Sequence, residues 1–389
     1  MGALKVGVIG LGDISTVYLN NLKNYPEVVE LYGCACTSLE KARRKAGEFG
    51  FQKAYTSGAE LIADPEIDVV MNLTVPAFHY AYNLAALKAG KHVYSEKPRA
   101  STFAEGQEIM SLAREKGLYV GCAPDTFMGG RLQTYRSLLD SGRLGEIIGG
   151  TACMVCPGWE GVHPNPAFYY QKGAGPLMDM GPYYLTALLS LLGPVRRVSG
   201  MAGQARKERT VHTGPYTGRT IEVDPEVMTH VIANLEFQCG ALISACFSFD
   251  VWDSEMPRME LYGTKACLTI TEPDPCAGPN YFGGEVLLRD ESTSRWLVSP
   301  RSEEQMQAPW EKIPVKHGHN SVLQSVNSRG IGLVDLALAL REGRRNRASG
   351  DMALHVLEIM EGILTSAKEH RFAEMTTTFE RPEPVPVDF

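Results

Sequence analysis

The sequence lacks the features that would place it in a membrane or outside the cell. It has no run of about 18 apolar residues, and its start, MGALKVGVIG, has none of the regions of a signal peptide. A Lys/Arg block that could grip a nucleic-acid backbone is also missing; the nearest run, REGRRNR (341–347), is interpreted as a solvated loop. We therefore expect a cytoplasmic protein that binds neither membranes nor nucleic acids.

The cysteines do not have the spacing of a disulfide framework. The nine cysteines are scattered, and their number is odd. Cys34 and Cys36 would share one face of a strand, which favours core packing over metal binding. The two histidines of KHGHN (316–320) have no acids or cysteines at ligand spacing beside them. We expect reduced thiols and no metal site.

Strand and helix patterns alternate over the first 122 of the 389 residues. Strand-like runs occupy 4–10, 28–36, 68–74, 92–95 and 118–123, and helical patterns occupy 14–24, 39–49, 78–89 and 103–116. This alternation, with continuously apolar strands such as VGVIG, predicts a parallel sheet that is covered by helices on both faces.

The pattern changes after residue 125. A helical pattern at 131–142 precedes strand-like runs at 146–155, 195–204, 227–237, 240–249, 257–262, 266–271 and 285–289, and helices are predicted at 320–342 and 351–369. Short glycine-bearing turns between the strands favour antiparallel pairing. We therefore predict two domains: an α/β domain over residues 1–124, and an α+β domain with a large, mostly antiparallel sheet over residues 125–389.

The first strand runs into a glycine-rich turn. VGVIGLGDIS contains Gly10-x-Gly12-x-x-Ser15, with a strand before it and a helix after it. Gly10 permits a tight turn, and Gly12 lets the backbone approach a pyrophosphate. The helix that follows, with Asp13 and Ile14 next to its start, attracts negative charge to its N-terminus. This context predicts dinucleotide binding rather than a plain strand-to-helix turn.

The second strand ends without the acid that commonly holds the ribose hydroxyls of NAD. In CACTSLEKARR, Thr37 and Ser38 follow Cys36, and Lys41 lies one helical turn further on. An acid would repel a 2′-phosphate, whereas these hydroxyls can donate hydrogen bonds to one, so NADP is slightly favoured over NAD. The alternative is that Thr37 and Ser38 are helix-capping residues of an NAD enzyme.

Three stretches resemble the Gfo/Idh/MocA oxidoreductases, the family of glucose-fructose oxidoreductase and inositol dehydrogenase. They are VGVIGLGDIS, VPAFHYAYNLAALKAGKHVYSEKP (75–98) and GAGPLMDMGPYYLTALLSLLG (173–193), and with the order of elements they cover essentially the whole chain. The resemblance implies an N-terminal Rossmann domain. It also implies that Glu-Lys-Pro closes a strand beside the nicotinamide, often with a cis proline. Lys97 would then lower the pKa of the substrate hydroxyl or relay its proton, and Glu96 would contact the cofactor or orient the lysine.

The second motif of that family has a histidine four residues after an aspartate, where this sequence has Asp179 and Tyr183. Residues four apart share a helix face, so both would look toward the cofactor, although Pro182 can bend the helix start. Glucose-fructose oxidoreductase resembles this sequence in having a tyrosine there. Lys97 is the natural cation to activate Tyr183 as an acid or base; alternatively, Tyr183 only shapes the pocket while Lys97 moves the proton.

Other candidates depend on local composition and on the resemblance. The loop GWEGVHPNPAFYYQK (158–172) is dense in aromatic side chains, whose faces suit sugar rings. The alternatives are a capping or packing role for His79 and a structural loop role for His163 and Lys172. Predicted cofactor contacts are Gly10, Gly12, Asp13, Ile14, Thr37, Ser38, Lys41, Thr74, Pro76, His79, Glu96 and Lys97, and predicted substrate contacts are Lys97, Asp125, His163, Lys172, Asp179 and Tyr183.

These observations predict an NAD(P)-dependent oxidoreductase that transfers hydride between the nicotinamide and a hydroxyl-bearing carbon of a sugar, glycoside or cyclic polyol. Two alternatives remain. One is an enzyme that oxidises its substrate transiently, eliminates a glycosidic bond and recycles its cofactor; the other is a catalytically silent, dinucleotide-binding regulator. Because an open antiparallel sheet needs its outer face covered, we expect a homodimer or homotetramer formed through the C-terminal sheet.

Overall fold

The computed structural model describes residues 2–271, 281–296, 302–303, 307–315, 327–387 and 389. KHGHN (316–320) and the first part of the helix predicted at 320–342 lie outside these residues. Contacts divide the chain into two compact units, Met1–Met128 with Leu323–Glu358 and Thr377–Glu383, and Gly129–Val322 with Ile359–Thr376 and Pro384–Phe389. Both units draw on the C-terminal part of the chain, and the division at residues 124 and 125 stays a prediction.

The first unit is built on a parallel sheet. Its strands are β1 (Leu4–Ile9), β2 (Val29–Ala35), β3 (Lys53–Tyr55), β4 (Val69–Asn72), β5 (His92–Ser95) and β6 (Val120–Cys122). In the described residues they lie in the order β3-β2-β1-β4-β5-β6, and all pairs are parallel. Val8 and Ile9 point to opposite faces of β1 and are both buried, as helices on both sides require. The Rossmann prediction is confirmed.

Helices connect these strands, and serine or threonine side chains cap some of their N-termini. They are α1 (Asp13–Leu22), α2 (Leu39–Phe49), α3 (Gly58–Ala63), α4 (His79–Lys88), which follows the 3₁₀ turn Pro76–Phe78, and α5 (Phe103–Lys116). Thr102 and Glu105 form a reciprocal capping box at the start of α5, and Gly117 ends the helix in the left-handed region. The sequence pattern does not predict β3 and α3, because three and six residues are too few to show a period.

The second unit contains a large mixed sheet. Its strands are β7 (Ile147–Val155), β8 (Val195–Gly203), β9 (Glu208–Thr210), β10 (Thr220–Glu222), β11 (His230–Phe237), β12 (Leu242–Ser248), β13 (Met259–Gly263), β14 (Ala266–Ile270), β15 (Val286–Asp290), β16 (Glu311–Ile313) and β17 (Ala373–Glu374). Within the part described, the order is β16-β15-β14-β13-β7-β12-β11-β8-β17, while β9 and β10 form a separate hairpin. Pairing is antiparallel apart from the parallel pair β7–β12, so the mostly antiparallel sheet is confirmed.

Four more helices are described in the rest of the chain. They are α6 (Gly130–Asp140), α7 (Pro176–Leu192), α8 (Ile331–Glu342) and α9 (Gly350–Glu369). None of the helices described is long and apolar enough to cross a bilayer. The eight cysteines in the described residues are free, and burial raises the pKa of the Cys34 and Cys122 thiols to about 12. Both thiols are therefore protonated, unreactive core groups.

Candidate active site

The turn after β1 has the geometry of a phosphate-binding loop. Gly10 has a φ of +96°, and a Cβ there would come within 2.6 Å of the Leu73 carbonyl group. Gly12 precedes α1, and a Cβ there would meet no atom within 4 Å, so the space before the helix N-terminus is open. The Ser15 hydroxyl donates to the Gly12 carbonyl at 2.6 Å, which satisfies the buried serine at the third position of the motif. The turn fits a pyrophosphate group.

The surroundings of this turn also fit a dinucleotide. β1 lies between β2 and β4, so the chain crosses over at this point and a crevice opens at the carboxyl ends of β1 and β4. Ile14 on one side and Val75, Pro76 and Phe78 on the other are exposed. Exposed apolar side chains at such a crevice are typical of a site that a large planar ligand covers.

Two glycine variants test this assignment. Gly10→Ala should lower the free energy of unfolding by about 1–3 kcal/mol, because the new methyl group enters a strained conformation and meets backbone atoms. Gly12→Ala should fold normally, because its methyl group meets no protein atom, yet weaken NAD(H) binding on the order of tenfold. Denaturant unfolding and NADH fluorescence titration measure the two effects. Wild-type affinity in Gly12→Ala would contradict the assignment.

The end of β2 shows one of the two roles considered for its hydroxyl groups. The Ser38 Oγ accepts a hydrogen bond from the Lys41 amide at 3.2 Å and thereby caps α2. Thr37 is exposed, and Lys41 is half-buried. The capping role of Ser38 is therefore observed, and its contact with a 2′-phosphate stays a prediction.

Lys97 follows β5 at the same carboxyl edge of the sheet, and its peptide bond to Pro98 is cis. Lys97 itself is half-buried, whereas Glu96 is 8% exposed. The Tyr18 hydroxyl donates to Glu96 Oε1 at 2.6 Å, and the Lys97 amide donates to Glu96 Oε2 at 2.8 Å. Burial, followed by the nearby Glu96 carboxylate, holds the pKa of Tyr18 well above its usual value. Glu96 thus orients the backbone of Lys97.

His79 lies at the start of α4 and is completely buried. Its Nδ1 is 2.6 Å from the Pro98 carbonyl oxygen, and its Nε2 is 2.8 Å from the Thr74 carbonyl oxygen. Thr74 is held in turn by Asn72, whose Oδ1 accepts from the Thr74 hydroxyl at 2.7 Å. The packing role considered for His79 is therefore observed, since both ring nitrogens face backbone groups.

In the second unit, α7 carries the predicted pair. In this helix, all of which the structure describes, only Asp179 and Tyr183 are not buried, and they are four residues apart on one face. Pro182 does not interrupt the helix, which runs unbroken to Leu192. The Trp159 indole Nε1 donates to Asp179 Oδ2 at 3.2 Å. One face of α7 therefore carries a carboxylate and a phenol that are not buried, whereas the rest of the helix is buried.

Aromatic rings surround Trp159. The ring of Tyr169 lies 5.7 Å and that of Phe249 6.0 Å from Trp159, measured between centroids. His163 packs edge-on against Phe168 and Tyr169 at 5.2 and 5.6 Å. The predicted aromatic loop is therefore assembled around the residue that holds Asp179, and Phe249 joins it from the end of β12.

A buried ion cluster, formed by Arg209, Glu160 and Asp250, supports this loop. Arg209 Nη1 donates to Glu160 Oε1 at 3.2 Å, its Nη2 donates to Asp250 Oδ1, and all three side chains are at least nine-tenths buried. Glu160 Oε2 also accepts from the Tyr170 hydroxyl at 2.7 Å. Because Glu160 follows Trp159 directly, the cluster fixes the backbone that places the indole.

Three of the residues predicted to contact the substrate instead contact other groups of the protein. Asp125 is completely buried, and its Oδ2 accepts from the Tyr94 hydroxyl and from the Gly330 and Gly332 amides at 2.8–2.9 Å, at the start of α8. His163 is half-buried in the aromatic cluster, and the exposed Lys172 pairs with Glu226 at 2.8 Å. We leave Asp125 and Lys172 out of the proposed substrate site.

Comparison with known proteins identifies the class. Residues 4–123 match the family model described as "Oxidoreductase family, NAD-binding Rossmann fold", and residues 132–269 match the GFO/IDH/MocA C-terminal domain. The chain is 30% identical over 275 residues to dTDP-3,4-didehydro-2,6-dideoxy-alpha-D-glucose 3-reductase of Streptomyces violaceoruber, covering 69% of this chain and 72% of that protein. The chain belongs to the Gfo/Idh/MocA family of NAD(P)-binding oxidoreductases.

Other relatives vary in how much of their length is matched. The chain is 28% identical to D-glucoside 3-dehydrogenase of Escherichia coli strain K12, over 69% of this chain and 77% of that protein. It is 30% identical to the uncharacterized oxidoreductase C26H5.09c of Schizosaccharomyces pombe, of which it spans only 56%. A structure of levoglucosan dehydrogenase with NADH and L-sorbose is similar in fold, with a TM-score of 0.79 and 20% identity over 97% of this chain and 100% of that chain.

Proposed function

We propose that the protein is an NAD(P)-dependent dehydrogenase or reductase that acts on a hydroxyl-bearing carbon of a sugar, glycoside or cyclic polyol. The observation that carries the proposal is on α7, where all residues are described and Asp179 and Tyr183 are the two that are not buried, while Asp179 accepts a hydrogen bond from Trp159 of the aromatic cluster. A carboxylate that accepts hydroxyl hydrogen bonds, next to aromatic faces, suits a carbohydrate. The names of the relatives that act on glucosides and sugar nucleotides support this substrate class.

The residues have separate roles in the proposed reaction. Gly10, Gly12 and the start of α1 would hold the dinucleotide pyrophosphate, and the bound nicotinamide supplies the hydride acceptor. Lys97 would donate a hydrogen bond to the substrate hydroxyl and stabilise the negative charge that develops as its proton leaves. Asp179 would accept a hydrogen bond from a neighbouring hydroxyl and thereby orient the ring. The hydroxyl proton would move to Tyr183 or to Lys97.

Steady-state turnover with a panel of glycosides, free sugars and inositols tests the proposal. We expect reduced nicotinamide to accumulate with at least one of them, and titration with NAD and NADP determines which cofactor is preferred. Release of an aglycone without net NAD(P)H would instead indicate the elimination enzyme. Tight cofactor binding without turnover of any carbohydrate would indicate the silent regulator.

We further propose that a second copy of the chain covers the outer face of the large sheet. Met201 on β8, Ile232 on β11 and Leu242 on β12 are exposed there, at 78%, 45% and 60%. Met201 and Ile232 are paired directly across the two strands. Such apolar side chains on an open sheet favour association. Light scattering of the purified protein should give the mass of a dimer or tetramer.

A further inference from the structure

The backbone of Lys97 is flanked by two buried contacts that come from different elements. On one side, Tyr18 of α1 donates to Glu96 Oε1 at 2.6 Å, and the second oxygen of that carboxylate accepts from the Lys97 amide at 2.8 Å. Tyr18 is completely buried, and Glu96 is nearly so. Both oxygens of the carboxylate therefore accept hydrogen bonds, one from α1 and one from the Lys97 backbone, so that Glu96 links the two.

On the other side, His79 connects two backbone carbonyl groups. Its ring lies between the oxygens of Pro98 and Thr74, at 2.6 and 2.8 Å, and has no exposed surface. Carbonyl oxygens only accept hydrogen bonds, so the ring contacts them as a donor through N–H. The ring thereby connects the residue after Lys97 to the segment that follows β4.

Thr74, which His79 contacts through its carbonyl oxygen, is itself held by hydrogen bonds to Asn72. Asn72 at the end of β4 accepts from the Thr74 amide at 3.2 Å and from its hydroxyl at 2.7 Å. Asn72 also donates to Asn83 at 2.9 Å, and Asn83 donates to the Arg99 carbonyl at 3.1 Å. The residues on both sides of Lys97 are therefore connected to β4 and β5 and to α1 and α4.

We propose that Tyr18 and His79 are positioning residues for Lys97, acting through the Glu96 carboxylate and through the Pro98 and Thr74 carbonyl groups. Neither side chain needs to touch the substrate. Their effect is to hold the peptide unit from which the lysine projects, so that the ammonium group meets the reacting hydroxyl in one place. The proposal rests on the function proposed above for Lys97.

The test compares two variants with two matched controls. Tyr18→Phe removes one hydroxyl from the first contact, and His79→Gln removes the ring that lies between the two carbonyl oxygens. Tyr80→Phe removes a tyrosine–carboxylate hydrogen bond to Glu108 at the surface, and His92→Gln alters a histidine at the opposite end of β5. Amide hydrogen exchange of residues 95–100, NADH affinity and kcat are measured for all four.

Both test variants should exchange faster at residues 95–100 than the wild type, with no change in β1. Their kcat should fall about tenfold or more while NADH affinity and KM stay within about threefold, because positioning affects the reacting group more than binding. The two controls should match the wild type in kcat and in the exchange of this segment.

Each result decides between the alternatives. If Tyr18→Phe keeps wild-type exchange and wild-type kcat, the proposal is overturned, whatever His79→Gln shows. Because Tyr18→Phe removes only one oxygen atom, it is a sufficient test by itself if His79→Gln fails to fold. A loss of NADH affinity equal to the loss of kcat also overturns it, since that indicates a general structural role. If the wild type turns over no carbohydrate, the proposed function fails, and the exchange rates alone decide whether the two contacts hold Lys97.

Discussion

Replacing Lys97 with methionine is expected to lower kcat by about 100-fold or more, the usual contribution of a group that assists proton transfer. Methionine keeps an unbranched apolar stem but removes the ammonium group that stabilises the developing alkoxide. The Lys97 amide still donates to Glu96, so the backbone contact is retained. NADH affinity should therefore stay within about threefold of the wild-type value. Steady-state kinetics and fluorescence titration measure the two quantities.

Lys88→Met is the matched control for this substitution. Lys88 lies in the last turn of α4 and is exposed, so its loss should leave kcat and NADH affinity unchanged. Wild-type turnover in Lys97→Met would show that the lysine is not part of the chemistry. The same assay of Tyr183→Phe separates its two roles, because a proton acceptor loses kcat whereas a residue that only shapes the pocket changes mainly KM.

Replacing Arg209 with methionine should lower the free energy of unfolding by about 3–5 kcal/mol, the cost of breaking a buried ion pair from one side. Glu160 and Asp250 would remain buried without the guanidinium that both of them contact. The Trp159 backbone would lose its support, so KM for the carbohydrate should rise as well. Urea unfolding and steady-state kinetics measure these effects.

Arg345→Met provides the comparison, since Arg345 pairs with Glu380 where both side chains are more than 70% exposed. Exposed pairs contribute little, so this variant should unfold at the wild-type urea concentration. If Arg209→Met also unfolds at the wild-type urea concentration, the buried cluster does not stabilise the second unit. An unchanged KM in a folded Arg209→Met protein would separate the cluster from substrate binding.

Much of the fold could be predicted because its elements follow local rules. The strand VGVIG, the glycine turn and the capped helices each show their own period or end signal, and β1, β2, β4 and β5 appear where those signals place them. The parallel pairing of β7 with β12 could not be predicted, since the two strands are far apart in sequence and alternation does not encode pairing direction. The place of the described residues 327–358 in the first unit depends on long-range contacts in the same way.

The candidate site was predictable only in part. The glycine spacing and the Glu-Lys-Pro and Asp179–Tyr183 motifs indicate the candidate residues. They do not indicate which other side chains hold those residues in place. The bond from Trp159 to Asp179 joins residues twenty positions apart, and its only signal was the density of aromatic residues in that loop. Arg209 stands among the charged neighbours Lys207 and Glu208, and nothing local distinguishes the buried residue from the exposed ones.

The most direct test of the proposed chemistry follows the hydrogen atom itself. The wild-type protein is incubated with NAD or NADP and a glycoside that carries deuterium on its ring carbons, and the cofactor is then released and examined by mass spectrometry. The proposal predicts deuterium in the nicotinamide ring of the reduced cofactor that accumulates, because the hydride comes from a labelled ring carbon. A cofactor that binds but carries no deuterium after incubation with any of the labelled sugars and polyols would contradict it.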